Sequence, residues 1–200
     1  MGGALLPVPT KGDGMKDPRE AIWLEKIRAD IGEIGPLEIQ LLNLMNWVGR
    51  TLKSVNPPMP TKNPLDILDS GIGWCEQQVK VFLWGANRLY GVKTREVALY
   101  HTDGVNGHSV AEVFCGDRWL LFDVHSEHQS VYRHTKDGHI MGYLEICANV
   151  EQVVAEQHPW RGTNGQGKEG FYATAVLHPS LRDRRGPGAA YCNFHPDDWV

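Results

Sequence analysis

GHSVAEVFCGDRWLLFDVH, residues 107–125, is the stretch on which the fold of this chain turns. Apolar and polar residues alternate on both sides of Gly116-Asp117, the pattern of two half-buried strands joined by a tight turn. With those two residues as the turn, Phe114 faces Trp119, Glu112 faces Leu121, Val110 faces Asp123 and His108 faces His125. Directly opposed side chains share a face of the ribbon. His108 and Asp123 are then diagonal neighbours on one face, ~7 Å or less apart between Cβ atoms and within reach of a hydrogen bond. A slip of one residue would put them on opposite faces.

A histidine held by a carboxylate is the orienting half of a nucleophilic triad. The acid fixes the ring tautomer and stabilises the imidazolium that forms when the ring takes a proton. The missing member is a nucleophile, and Cys75 is placed for it. It follows Gly71-Ile72-Gly73-Trp74 and opens a stretch in which Val79, Phe82, Leu83, Ala86 and Leu89 recur at helical spacing up to Gly91. The unpaired N–H groups and dipole of a helix start favour a thiolate, and those N–H groups also suit the oxyanion of a tetrahedral intermediate. Taken singly, each residue has a plainer reading. A buried cysteine is usually inert, a lone histidine is usually a surface or core residue, and Asp123 suits a strand end. The combination points to chemistry.

Outward from this centre, residues 1–18 lack periodicity and read as a flexible lead-in. A helix follows from Asp17-Pro18, with Ile22, Trp23, Ile27 and Ile31 as its stripe, and is stopped by Gly35-Pro36. Residues 37–53 form a stronger helix through Leu37, Leu41, Leu44, Met45 and Val48, ahead of the proline-rich loop VNPPMPTKNP. A strand is expected at 97–101, a polar loop at 128–142, a short strand or helix within 143–157, a surface loop at GTNGQGKEG and another strand at 171–177. This makes a single α+β domain over 19–178, with 179–200 as a surface tail.

The 200 residues are 42% hydrophobic and 22% charged, which suits one ordinary globular domain and excludes wholesale disorder. Twenty Lys and Arg against 24 Asp and Glu give a net charge of −4, with no footprint for nucleic acid or an anionic membrane. No apolar run reaches the ~18 residues of a membrane span, and the first residues lack a signal peptide's basic start. Four scattered cysteines without a C-x-x-C pair read as free thiols in a reducing compartment, so the expected setting is cytoplasmic. His125, His128 and His134, with Cys147 or Asp123, are the candidates for a metal cluster. Their spacing fits no standard site, and scattered histidines with no metal are the expectation.

These residues resemble the transglutaminase-like superfamily, a branch of the papain-like cysteine hydrolases. The resemblance rests on Gly73-Trp74-Cys75, on His108 followed by Ser109-Val110-Ala111-Glu112-Val113, on Arg118-Trp119-Leu120-Leu121-Phe122-Asp123 and on the stretch 88–95 after the cysteine helix. It covers about residues 37–126. It implies helices packed on an antiparallel sheet, with Cys75 as nucleophile, His108 as general base and acid, and Asp123 as orienter. The implied reaction is attack on an amide or peptide carbonyl through a thioester, without metal or organic cofactor. The family places an oxyanion donor upstream of the cysteine, for which Trp47, Asn63 and Trp74 are the candidates, and it usually has proline where Val124 stands. A non-catalytic binding or scaffold module on the same fold is the alternative function. Cys115 falls on the face opposite His108 and is expected to be structural, while Glu112 shares that face and belongs to its edge or to an ion pair.

Overall fold

The computed structural model describes residues 17–32, 35–55, 60–100, 107–126, 129–157 and 190–193. Strand β2 (Gly107–Cys115) and strand β3 (Arg118–Asp123) pair antiparallel across Gly116-Asp117. Gly116 takes φ 66°, the left-handed conformation a two-residue turn demands and glycine adopts without strain. Phe114 opposes Trp119 and Glu112 opposes Leu121, the register expected from the alternation. Four further strands extend the hairpin: β1 (Thr94–Tyr100), β4 (Ser130–His134), β5 (Val153–Gln157) and β6 (Ala190–Asn193). They form one antiparallel sheet in the order β5-β4-β3-β2-β1-β6.

Four helices cover one face: α1 (Arg19–Ile31), α2 (Leu37–Thr51), α3 (Pro64–Ser70) and α4 (Cys75–Tyr90). The core between them joins Val79, Phe82, Leu83 and Ala86 of α4 to Leu41, Leu44 and Met45 of α2 and to Ala111, Val113 and Phe122 of the hairpin. Phe82 and Phe122, both fully buried, meet at 5.2 Å between ring centroids. Burying one such side chain contributes about 1.5–3 kcal/mol. A smaller core on the opposite face collects Val97, Leu99, Val110, Leu121 and Tyr132 under Met141 and Ile146. Ile146 belongs to a short helix, α5 (Tyr143–Ala148). Period-two alternation sorts the strand residues between the two cores.

At Gly142, the N-cap of α5, a Cβ would stand 2.6 Å from the Trp119 carbonyl oxygen. Backbone cannot yield as a side-chain tip does, so Gly142→Ala should cost about 1–3 kcal/mol. The expected readout is a Tm lower by roughly 5 °C in thermal denaturation. An unchanged Tm would refute the close approach.

The structure departs from the sequence expectations at five places, the first being helix α3, which begins at Pro64 inside the expected proline-rich loop. Helix α1 packs Trp23, Ile27 and Ile31 of the expected stripe on the core but leaves Ile22 65% exposed, with Leu24 and Glu20 inward instead, Glu20 3.0 Å from Arg88 of α4. The stretch 128–142, expected as loop, contains β4. Five residues with only Val131 and Tyr132 buried are too few to show alternation in the sequence. Residues 143–157 contain both α5 and β5. Within the expected surface tail, Ala190–Asn193 pair with β1 as an edge strand, occupying N–H and C=O groups that β1 would otherwise present there. The lead-in up to residue 16, the loop GTNGQGKEG, the strand expected at 171–177 and most of the tail lie outside the described residues. No helix among the described residues is long and apolar enough to cross a membrane.

Candidate active site

Cys75 is the first residue of α4, and its approach is built by side-chain amides. Trp74, the N-cap, is extended, and its N–H donates to Gln77 Oε1 at 3.0 Å. Gln77 Nε2 in turn donates to the Thr61 carbonyl at 2.8 Å. Gln78, fully buried, donates to the Gly73 carbonyl and accepts the Ser126 N–H, both at 2.8 Å. One side chain thus clamps the turn before the cysteine to the segment that follows β3. A second tie joins Lys53 to Gly71 and Gly73 through backbone hydrogen bonds of 3.0 and 2.9 Å. The N–H groups of the first turn of α4 have no intrahelical acceptor, as at any helix start.

His108, near the start of β2, and Asp123, at the end of β3, meet as the register requires. His108 Nε2 lies 2.9 Å from Asp123 Oδ1, with the residues 8% and 1% exposed. Cys75 also acts on this imidazole, raising its pKa further after Asp123. Burial pulls the ring's pKa down, but the charge and hydrogen bond of Asp123, followed by those of Cys75, outweigh it and push His108 up to about 10. The ring is therefore a cation at neutral pH. A cationic imidazole beside a helix-start sulfur is the arrangement from which cysteine nucleophiles attack.

The hairpin register also put His125 opposite His108, and their ring centroids lie 6.1 Å apart. His125 is 4% exposed, stands edge-on to Trp74 at 5.6 Å, and brings Nε2 to 3.1 Å from Ser54 Oγ. It belongs to the wall of the site, which the scattered-histidine reading did not foresee. Gln78 was missed as well. An internal helix glutamine carries no sequence signal of being a clamp until its two partners are seen.

Trp47, a candidate oxyanion donor, is corrected. It is buried in α2 edge-on to Trp23, and its Nε1–H donates to Asp30 at 2.8 Å. With that donor committed away from Cys75, Trp47 is core. Asn63 caps α3, accepting the Leu65 N–H at 2.8 Å. Trp74 remains beside the site. Glu112 makes an ion pair rather than a site edge: Arg95 Nη2 stands 2.6 Å from it, and the Tyr143 N–H donates to its other oxygen. Burial, then the charge of Glu38, pushes the Cys115 thiol up to about 11. The suggested grouping of His125 and His134 does not form, since His134 lies instead beside Asp137 and His139, and His128 is outside the described residues. Cys75, Cys115 and Cys147 are free thiols.

No family model matches this chain, and no curated protein matches it. Among solved structures it is similar to a candidate cysteine protease from Cytophaga hutchinsonii, at 13% identity and a TM-score of 0.46. That match covers 69% of this chain and 47% of the Cytophaga chain, so the chain spans about half of that protein's length. It is similar to LapG of Legionella pneumophila at 14% identity and a TM-score of 0.43, over 62% of this chain and 65% of that one. A protein described as a TGase matches at 12% identity and a TM-score of 0.42, over 56% of this chain and 34% of that one. Within the chain itself, a cysteine-headed helix, a histidine-bearing strand and an aspartate-ended strand follow one another on an antiparallel sheet, and the fold is α+β.

Proposed function

We propose that this protein is a cysteine-dependent enzyme that cleaves or transfers the acyl group of an amide or peptide bond. The carrying observation is one buried imidazole, His108, bonded to Asp123 and raised in pKa by both Asp123 and Cys75, the first residue of α4. In the proposed reaction the Cys75 proton already resides on His108, the thiolate sulfur attacks the carbonyl carbon, and first-turn N–H groups of α4 stabilise the oxyanion. His108 gives its proton to the departing nitrogen as the C–N bond breaks, leaving a thioester. It then takes a proton from water or an incoming amine, whose attack releases Cys75. Water makes the protein a hydrolase; an amine makes it an acyl transferase. Asp123 holds the ring throughout. Trp74 and His125 line the substrate's approach. The scheme uses no metal or organic cofactor, and it fits a cytoplasmic setting in which the thiol stays reduced.

Thiol reactivity separates this reading from a binding module on the same fold. With iodoacetamide at about pH 6.5, Cys75 should alkylate more than about tenfold faster than Cys115, which burial and Glu38 keep protonated. Peptide mapping of a time course measures both rates. Equal rates would defeat the enzyme reading.

A further inference from the structure

A second cluster of chemistry-bearing side chains lies away from Cys75, in the turn that leaves β4. His134 ends the strand, and its backbone N–H donates to the His139 carbonyl at 3.0 Å while Gly138 donates back to the His134 carbonyl at 2.9 Å. This closure lays the two imidazoles parallel, with centroids 5.2 Å apart and planes 10° apart. Asp137, at the tip of the turn, reaches between them. Its Oδ1 is 2.5 Å from His139 Nδ1 and 3.5 Å from His134 Nδ1. The three candidate donor atoms all lie within 4.8 Å of one another.

We propose that His134, Asp137 and His139 form a binding site for a divalent transition-metal ion of the zinc class. A tetrahedral ion bound at about 2.0–2.1 Å needs its donors about 3.3 Å apart and lies in the plane of each ligating imidazole, so binding requires one ring to turn out of the parallel stack toward the shared ion. Two features prepare the donors. Lys136 donates its N–H to His134 Nδ1 at 3.2 Å, which marks that nitrogen as a lone-pair bearer facing the turn, a contact the metal would replace. Glu145 of α5 lies 2.7 Å from His139 Nε2, the outer-carboxylate support that metal-ligating histidines ordinarily have. Two imidazoles and one carboxylate select zinc, cobalt or a similar ion over calcium or magnesium, which take oxygen ligands. A fourth position is left for water.

The position suggests a structural clip. The turn runs into Ile140 and Met141, and Met141 hydrogen-bonds Tyr132 of β4 and Leu121 of β3. Through Glu145, an ion held by His139 would also tie the end of β4 to α5. This site does not depend on the reading of Cys75, and its test leaves that reading untouched.

The full chain, stripped of metal with chelator, is titrated with zinc chloride by calorimetry, and cobalt chloride is followed by absorption. The expected result is one equivalent bound through these residues, with a visible cobalt band free of thiolate charge transfer. Saturating zinc should raise Tm by on the order of 5 °C. Asp137→Asn, at an exposed position, and His139→Asn, checked by circular dichroism, should each weaken zinc binding about 100-fold, and Glu145→Gln about tenfold. Calcium chloride should leave the protein unchanged. Zinc affinity unaltered in either ligand variant, thiolate charge transfer in the cobalt spectrum, or calcium binding as tight as zinc would overturn the site.

Discussion

Cys75→Ala should form no covalent adduct with any acyl donor and should turn over amides at least about 10⁴-fold more slowly than the wild type. The sulfur is the proposed attacking atom, and neither Cys115 nor Glu112 can take its place. Cys115 lies on the opposite face of β2 from His108, with a thiol pushed up to about 11, and Glu112 is bound to Arg95. The measurement is intact mass after incubation with a panel of peptide amides and p-nitrophenyl esters, alongside steady-state rates. Wild-type protein should gain the acyl mass on Cys75, and His108→Ala should lose turnover to a similar degree, because His108 is the proposed proton donor to the leaving nitrogen. An adduct that persists in Cys75→Ala would remove the mechanism.

Asp123→Asn should have the second-largest effect, visible both in kinetics and in stability. The carboxylate supplies the largest opposition to burial in holding the His108 proton. Without it, desolvation prevails and the ring becomes neutral at a lower pH. Turnover should fall by about 10³–10⁴-fold, and the alkaline limb of the pH–rate profile, expected near 10 in the wild type, should move toward neutrality. For stability the sign follows from the direction of the shift. A folded-state pKa raised from 6.5 to about 10 contributes stability that is fully present below pH 6.5 and is lost as the pH rises through 10. Both groups are buried, so breaking the pair should cost about 3–5 kcal/mol at pH 6. The gap between wild type and Asp123→Asn should narrow as the pH approaches 10. Denaturant unfolding across that range measures it, and a gap that widened with pH would contradict the charged pair.

The parts of this site legible in the sequence are those set by short-range periodicity. Alternation about Gly116-Asp117 was enough to pair His108 with Asp123, because a two-residue turn leaves one register that buries the apolar set. The helical stripe from Val79 to Leu89, with glycines before it and after it, was enough to place Cys75 at a helix start. Side chains whose partners lie far along the chain were not legible. Gln78 reaches Ser126, His125 reaches Ser54, and Trp47 turns to Asp30, each through a choice of rotamer and packing that no local pattern encodes. Trp47 was misread for that reason, and of the expected α1 stripe only Ile22 falls outside the core face.

By itself, then, the sequence determined two local facts: a thiol at the mouth of α4, and a histidine and an acid on one face of a hairpin. Both follow from repeat distances of 3.6 and 2 residues that the backbone imposes on any chain. Only the tertiary structure decided that Gln78 ties the turn before Cys75 to the segment after β3, and that His134, Asp137 and His139 converge. Those meetings depend on how α4 packs across the sheet and how the chain turns after β4, and the energies of burial and hydrogen bonding that settle them are summed over the whole fold.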